Sequence, residues 1–202
     1  MIKAIIFDFG DVFISLDKAA TTNKLKEIDI NELPESLMAK NREYEQGFVT
    51  SDEISDHYTT EFPQLNSEDF LNAWNSILLE FPEYKFRFIQ KLSQEKDYKL
   101  ILLSNTNENH IEYIKNNVPF FEDFRDCFDA FYLSHEIGLR KPDPEIFEFV
   151  LEQHDLKPEN CLFIDDTPEH IESAASLGFH TWNLEPTRED VIDLFTTKSD
   201  LF

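Results

Sequence analysis

Three stretches of the chain are apolar without interruption, and each ends in a polar side chain. Ala4-Ile5-Ile6-Phe7 runs into Asp8, Leu100-Ile101-Leu102-Leu103 into Ser104, and Cys161-Leu162-Phe163-Ile164 into Asp165-Asp166. Continuous rather than alternating apolar character suits strands buried on both faces, as in a parallel sheet covered by helices. Shorter runs, Ala130-Phe131-Tyr132-Leu133 and His180-Thr181-Trp182, add two further strand candidates. Helical patterns lie between them. In Asp143-Pro144-Glu145 the acid can cap and the proline can take the first helical position, after which Ile146, Phe147, Val150 and Leu151 form one apolar face. Thr167-Pro168-Glu169 repeats the device, and Gly178 falls where that helix should stop. Strand and helix in alternation predict an α/β fold, a doubly wound Rossmann-like parallel sheet.

The stretch 15–82 breaks the alternation, with helical patterns and capping signals such as Thr50-Ser51-Asp52-Glu53 but no strand candidate. It reads as a small α-helical cap inserted after the first strand, dividing the chain into a core of residues 1–14 and 83–202 and a cap of 15–82. Such an insertion would stand over the carboxyl ends of the strands, where open α/β sheets bind ligands.

The balance of 18 Lys+Arg against 41 Asp+Glu gives a formal net charge of −23. A chain this acidic is repelled by nucleic-acid backbones and anionic lipid, so neither nucleic acid nor membrane is expected as a partner. Only Cys127 and Cys161 are present, too few for a disulfide framework, and both read as small buried hydrophobes in a reducing compartment. The first residues reach Asp8 before a signal-peptide core could form, which points to a cytoplasmic protein. A monomer or homodimer is expected.

If the long strands are parallel and adjacent, Asp8, Ser104 and Asp165-Asp166 converge on one edge of the sheet, and Gly138-Leu139-Arg140-Lys141-Pro142 delivers Lys141 just before a helix start. Each residue alone is an ordinary turn, cap or surface residue; four such elements in order are not. Three carboxylates gathered with one hydroxyl and one ammonium need a neutralising partner, and a hard divalent cation such as Mg²⁺ fits them. The set reads as a phosphoryl-transfer site. A carboxylate attacks phosphorus, cations screen the approaching negative charges, and Ser104 with nearby backbone N–H groups holds phosphate oxygens.

On these residues the chain resembles the haloacid dehalogenase superfamily, most of whose members are Mg²⁺-dependent phosphatases working through an aspartyl-phosphate. Phe7-Asp8-Phe9-Gly10-Asp11-Val12 looks like its first motif, Leu103-Ser104-Asn105-Thr106-Asn107 the second, Arg140-Lys141-Pro142-Asp143 the third and Phe163-Ile164-Asp165-Asp166 the fourth. The resemblance is closest to capped bacterial members acting on sugar phosphates such as a hexose 1-phosphate. It implies Asp8 as nucleophile and metal ligand, the Gly10 carbonyl and Asp166 as further ligands, and Asp165 as a ligand directly or through water. It also implies Ser104 and the amide of Asn105 on the phosphoryl group, Lys141 as its counter-charge, and a small phosphorylated metabolite as substrate. One departure stands out: the usual signature places a second Asp, the general acid/base, where this chain has Gly10. Asp11 is one position further on, and in a strand-like segment that turns a side chain to the other face. A positioned acid/base contributes about 10²–10⁴-fold, so a slow enzyme or a good leaving group is implied.

Hydrolytic dehalogenation also uses an Asp nucleophile, but the dehalogenases resembled usually lose the acidic pair that Asp165-Asp166 keeps. A binding protein on a decayed scaffold and a phosphomutase are further alternatives. His57, His110, His135, His154 and His180 read as surface or packing residues, whereas His170, four residues after Asp166, could reach the site. In the insertion, Arg42, Glu43, Tyr44, Glu45 and Gly47 form a polar turn that could face the site and select the substrate.

Overall fold

The computed structural model describes residues 1–202. Five strands, β1 (Ala4–Phe7), β2 (Lys99–Ser104), β3 (Ala130–Leu133), β4 (Cys161–Asp165) and β5 (His180–Asn183), form one parallel sheet in the order β3-β2-β1-β4-β5. All five strand candidates are therefore strands. The reversal of strand order on either side of β1 makes the carboxyl ends of β1, β2 and β4 the natural ligand crevice. The register aligns them: Phe7 lies opposite Leu102 and Ile164, so Asp8, Ser104 and Asp165 emerge close together.

Burial on both faces explains the unbroken apolar runs. Ile5, Phe7, Leu100, Leu102, Leu162 and Ile164 join one core cluster, and Ala4, Ile6, Ile101, Leu103, Cys161 and Phe163 join another on the opposite face. The first is covered by α5 (Glu83–Glu95), α6 (Glu108–Asn117), α7 (Phe121–Arg125) and the C-terminal α11 (Leu194–Thr197). The second is covered by α9 (Pro144–His154) and α10 (Pro168–Ser176), while the short α8 (Ser134–Ile137) follows β3. Pro144 and Pro168 open their helices as expected, but neither Asp143 nor Thr167 makes a side-chain cap bond. The prolines carry those starts, and at the second Asp165 fixes the capping residue by accepting the Thr167 N–H at 2.8 Å.

Between β1 and α5 lie α1 (Ala20–Lys26), α2 (Glu35–Glu45), α3 (Ser51–Glu61) and α4 (Ser67–Asn75), which bury a third apolar cluster of their own, including Leu25, Ile54, Tyr58 and Phe70. Thr50 and Glu53 form a reciprocal capping box at the start of α3. The segments leading into and out of these helices run side by side: Ser15 exchanges backbone bonds with Leu79 and Glu80, and Leu16 bridges Leu78. That short ladder is strand-like pairing inside a stretch expected to contain none; with so few residues it leaves no apolar run to read. No helix is long and apolar enough to cross a membrane. Cys161 is buried in β4, but Cys127 is only half-buried, its thiol donating to the Asp123 carbonyl at 3.2 Å.

Candidate active site

Asp8 follows the last residue of β1 and donates its backbone N–H to Ile164 O at 2.8 Å, so sheet pairing holds it up to its last residue. The loop that follows is clamped by aromatic packing. Phe9 and Phe13 both lie against Phe124, with ring centroids 5.6 and 5.0 Å away, and Phe81 packs on the same ring at 4.9 Å. Phe9, Phe13, Phe81 and Phe124 thus rigidify the loop after Asp8 as well as filling the core. Lys85 adds a polar clamp, donating from Nζ to Val12 O at 2.7 Å.

Lys141 is completely enclosed and donates from Nζ to Asp8 Oδ1 and to Asp165 Oδ2, both at 2.7 Å. Its backbone is gripped by the side chain of Asn105, which accepts the Lys141 N–H at 2.9 Å and donates to the Lys141 carbonyl at 2.8 Å. Asn105 thereby ties the end of β2 to the loop before α9 and leaves its own backbone N–H for another partner. Burial works against the Lys141 charge, but Asp165 and Asp8 outweigh it and keep the ammonium protonated. Burial pushes the Asp8 carboxyl up to about 6 against the pull of Lys141, while Asp165, although buried, is held well below the usual carboxylate range by Lys141 and His170.

One carboxylate oxygen from each of Asp8, Asp165 and Asp166 lies within 4.8 Å of the others. Oxygen donors carrying full negative charge in this arrangement fit a hard divalent cation. The two acids of the Asp165-Asp166 pair differ in how much coordination they have left. Both oxygens of Asp165 are bonded within the protein, Oδ1 to Thr167 N and Oδ2 to Lys141 Nζ and, at 3.0 Å, to His170 Nδ1. Asp166 meets only Lys18 Nζ closely, at 2.5 Å. The Gly10 carbonyl accepts Val12 N–H at 2.6 Å and retains a second lone pair.

Beside Gly10 and Ser104 opens a cavity of about 380 Å³ between the sheet edge and α1–α4. Phe9, Leu16, Leu78 and Trp74 supply apolar wall; Lys18, Asn41, Glu45, Tyr58, Ser104, Asn107 and His110 supply polar groups. Ser104 is 3% exposed and its hydroxyl has only a 3.5 Å contact to Asn105 O, which leaves it free to turn toward a ligand. A Cβ on Gly10 would stand 2.7 Å from Leu16 Cδ1, so an apolar side chain fills the space where a side chain at position 10 would project.

Asp11 does not substitute for that missing side chain, although the reason differs from the one expected. It lies in a turn with φ of 55°, not in strand-like backbone, and its carboxylate is taken up by Leu16 N at 2.9 Å and Lys18 Nζ at 3.0 Å. His170 does reach the site, through Asp165. Of the polar turn at the end of α2, Glu45 lines the cavity and pairs with Arg140 at 2.9 Å, while Glu43 pairs outward with Lys40 at 2.6 Å. Tyr44 and Gly47 instead fasten this turn to the sheet layer: Tyr44 OH accepts Asn109 N–H at 3.1 Å, and Gly47, at φ +71°, backs onto His135 O.

His110 is no mere packing residue. It lines the cavity wall, stacks on Trp74, accepts at Nδ1 from Asn107 Nδ2 and donates from Nε2 to Trp74 O, both at 3.1 Å. Its burial lowers its pKa to about 4, so the imidazole is neutral at pH 7. Asn107 caps α6 and also accepts from Trp74 Nε1 at 3.2 Å, a bond the sequence does not announce because Trp74 lies 33 positions earlier.

The haloacid dehalogenase-like hydrolase family matches residues 2–178 of the chain, and the chain belongs to that family. It is 30% identical over 197 residues to the D-ribitol-5-phosphate phosphatase of Bacteroides thetaiotaomicron, covering 92% of this chain and 93% of that protein. The crystal structure of a HAD family enzyme from the same organism, in complex with magnesium and inorganic phosphate, superposes with a TM-score of 0.83 at 32% identity over 96% of this chain and all of that one. A predicted HAD-like family hydrolase from Porphyromonas gingivalis gives 0.81 at 30% identity, covering 98% and 97% of the two chains.

Proposed function

We propose that the chain is a Mg²⁺-dependent phosphatase that hydrolyses a small sugar or polyol phosphate through an aspartyl-phosphate on Asp8. The observation that carries this reading is the Lys141 ammonium bonded at 2.7 Å to both Asp8 and Asp165, beside Asp166 and one strand from the Ser104 hydroxyl. A cation held by Asp8, Asp166 and the Gly10 carbonyl would screen the phosphate charges and draw electron density from phosphorus. Asp165, with both oxygens engaged by the protein, orients Lys141 and His170 and would support the cation from behind Asp8 and Asp166.

Ser104 Oγ and the Asn105 N–H hold phosphate oxygens while Lys141 neutralises charge between them and Asp8. An Asp8 oxygen forms a bond to phosphorus as the bond to the ester oxygen breaks, and that oxygen leaves as the alcohol after taking a proton from solvent. Water then attacks phosphorus, releasing phosphate and restoring the Asp8 carboxylate. Residues 15–82 act as the cap, closing the cavity over the sugar or polyol. Asn41, Glu45 and Tyr58 suit hydroxyl recognition, and the relation to a D-ribitol-5-phosphate phosphatase supports that substrate class. The retained Asp165-Asp166 pair speaks against dehalogenation. Hydrolysis of an activated aryl phosphate by wild type and Asp8→Asn, in Mg²⁺ and in chelator, tests the proposal. Turnover that needs both the metal and Asp8 is expected, and turnover by Asp8→Asn or in chelator overturns it.

A further inference from the structure

Lys18 carries a charge to which the proposed reaction assigns no role, although the residue lines the cavity. Its side chain is 58% exposed, yet its ammonium docks 2.5 Å from Asp166 Oδ2 and 3.0 Å from Asp11 Oδ2. The Asp166 side chain is only 8% exposed, and its other oxygen has just a 3.4 Å contact from Thr167 Oγ1. Asp166 therefore depends on Lys18 for its charge compensation, whereas Asp165 has Lys141 built into the fold. Lys18 comes from the exposed segment between the Leu16–Leu78 bridge and α1, so it approaches from the inserted helices rather than from the sheet.

We infer that Lys18 is a tethered counter-cation of Asp166 that a divalent metal must displace, so that metal binding at this site is an exchange of one cation for another. The inference rests on Asp166 being a metal ligand. Mg²⁺ bonds oxygen at about 2.0–2.1 Å, which brings it within a few ångströms of the ammonium whichever Asp166 oxygen it takes. Cations that close repel strongly where the surroundings are half-buried. Lys18 has somewhere to go: Asp11 is a second acceptor already in contact, itself fixed by Leu16 N–H. The exchange keeps Asp166 paired with a cation whether or not metal is bound, at the cost of weaker metal affinity.

The test is calorimetric titration of Mg²⁺ and Mn²⁺ into wild type, Lys18→Met and Lys18→Gln, which alter an exposed side chain and leave the fold in place. Both variants are expected to bind metal about tenfold more tightly, Gln showing that charge rather than hydrogen bonding is what competes. Both should also melt below wild type in chelator, with the gap closing at saturating Mg²⁺. Unchanged or weaker metal binding in either variant overturns the exchange while leaving the phosphatase reading standing. Wild type that binds neither metal overturns both.

Discussion

At the strand ends, the candidate site residues are held through their own backbone: Asp8 by its N–H to Ile164 O, Lys141 by the Asn105 side chain, which bonds both its N–H and its carbonyl. Across the cavity, Asn41, Glu45 and Tyr58 are carried by α2 and α3, which pack on their own apolar cluster and meet the sheet layer through a few side-chain ties. One wall is continuous with the sheet, whereas the other is a separate packed body held in register with it. Chemistry that needs tenths of an ångström belongs on the first wall. Selection among related substrates tolerates the second, and its residues can change without disturbing Asp8.

The comparison predicts a hierarchy of mutational effects. Asp8→Asn should lower turnover by about 10⁴-fold or more with melting temperature nearly unchanged, measured by phosphate release and calorimetry. Lys141→Met should cost about 3–5 kcal/mol of stability, because it leaves Asp8 and Asp165 buried without their shared cation. A loss under 1 kcal/mol in denaturant unfolding would show that the cluster is not held as described.

The tie between the walls comes next. Gly47→Ala puts a Cβ 2.0 Å from His135 O at a positive φ, and should destabilise by roughly 2 kcal/mol while loosening the turn that carries Glu45. Its KM should rise more than its kcat falls. His110 gives a pH signature. Its folded pKa of about 4 lies below the unfolded value near 6.5, so the unfolded chain binds the extra proton between those values. Its contribution is therefore fully present above pH 6.5 and declines as pH falls toward 4, by at most about 3 kcal/mol. His110→Gln should flatten the wild-type loss of melting temperature between pH 7 and 5; an unaltered slope would remove His110 from the account. The smallest effect falls on the outer wall. Glu45→Gln should change kcat/KM for polyol phosphates by about tenfold or less and leave an aryl phosphate almost unaffected.

Sheet and strand-end cluster were legible in the sequence for one reason. A buried parallel strand must be apolar along its whole length, so the first polar residue marks its end, and the ends of neighbouring strands meet. Asp8, Ser104 and Asp165-Asp166 announce themselves this way, and Lys141 by its place before Pro142 and a helix start. The roles of Gly10 and Asp11 were harder to read. Loss of the acid at position 10 is visible in the sequence, but that Leu16 fills the space, and that Asp11 turns onto Leu16 N–H and Lys18, depends on a left-handed turn that local composition does not announce.

What the sequence determined by itself was the sheet, the order of its reactive ends and the type of chemistry they support, because period and polarity are local properties of the chain. Only the tertiary structure decided that Lys18 pairs with Asp166, that Trp74 and His110 join the two walls, and that Glu45 rather than Glu43 faces the cavity. Each depends on how the helices of 15–82 dock on the sheet, through contacts between residues far apart in the chain. Such contacts leave no periodic trace, because a single side chain meeting a single distant partner imposes no pattern on its neighbours.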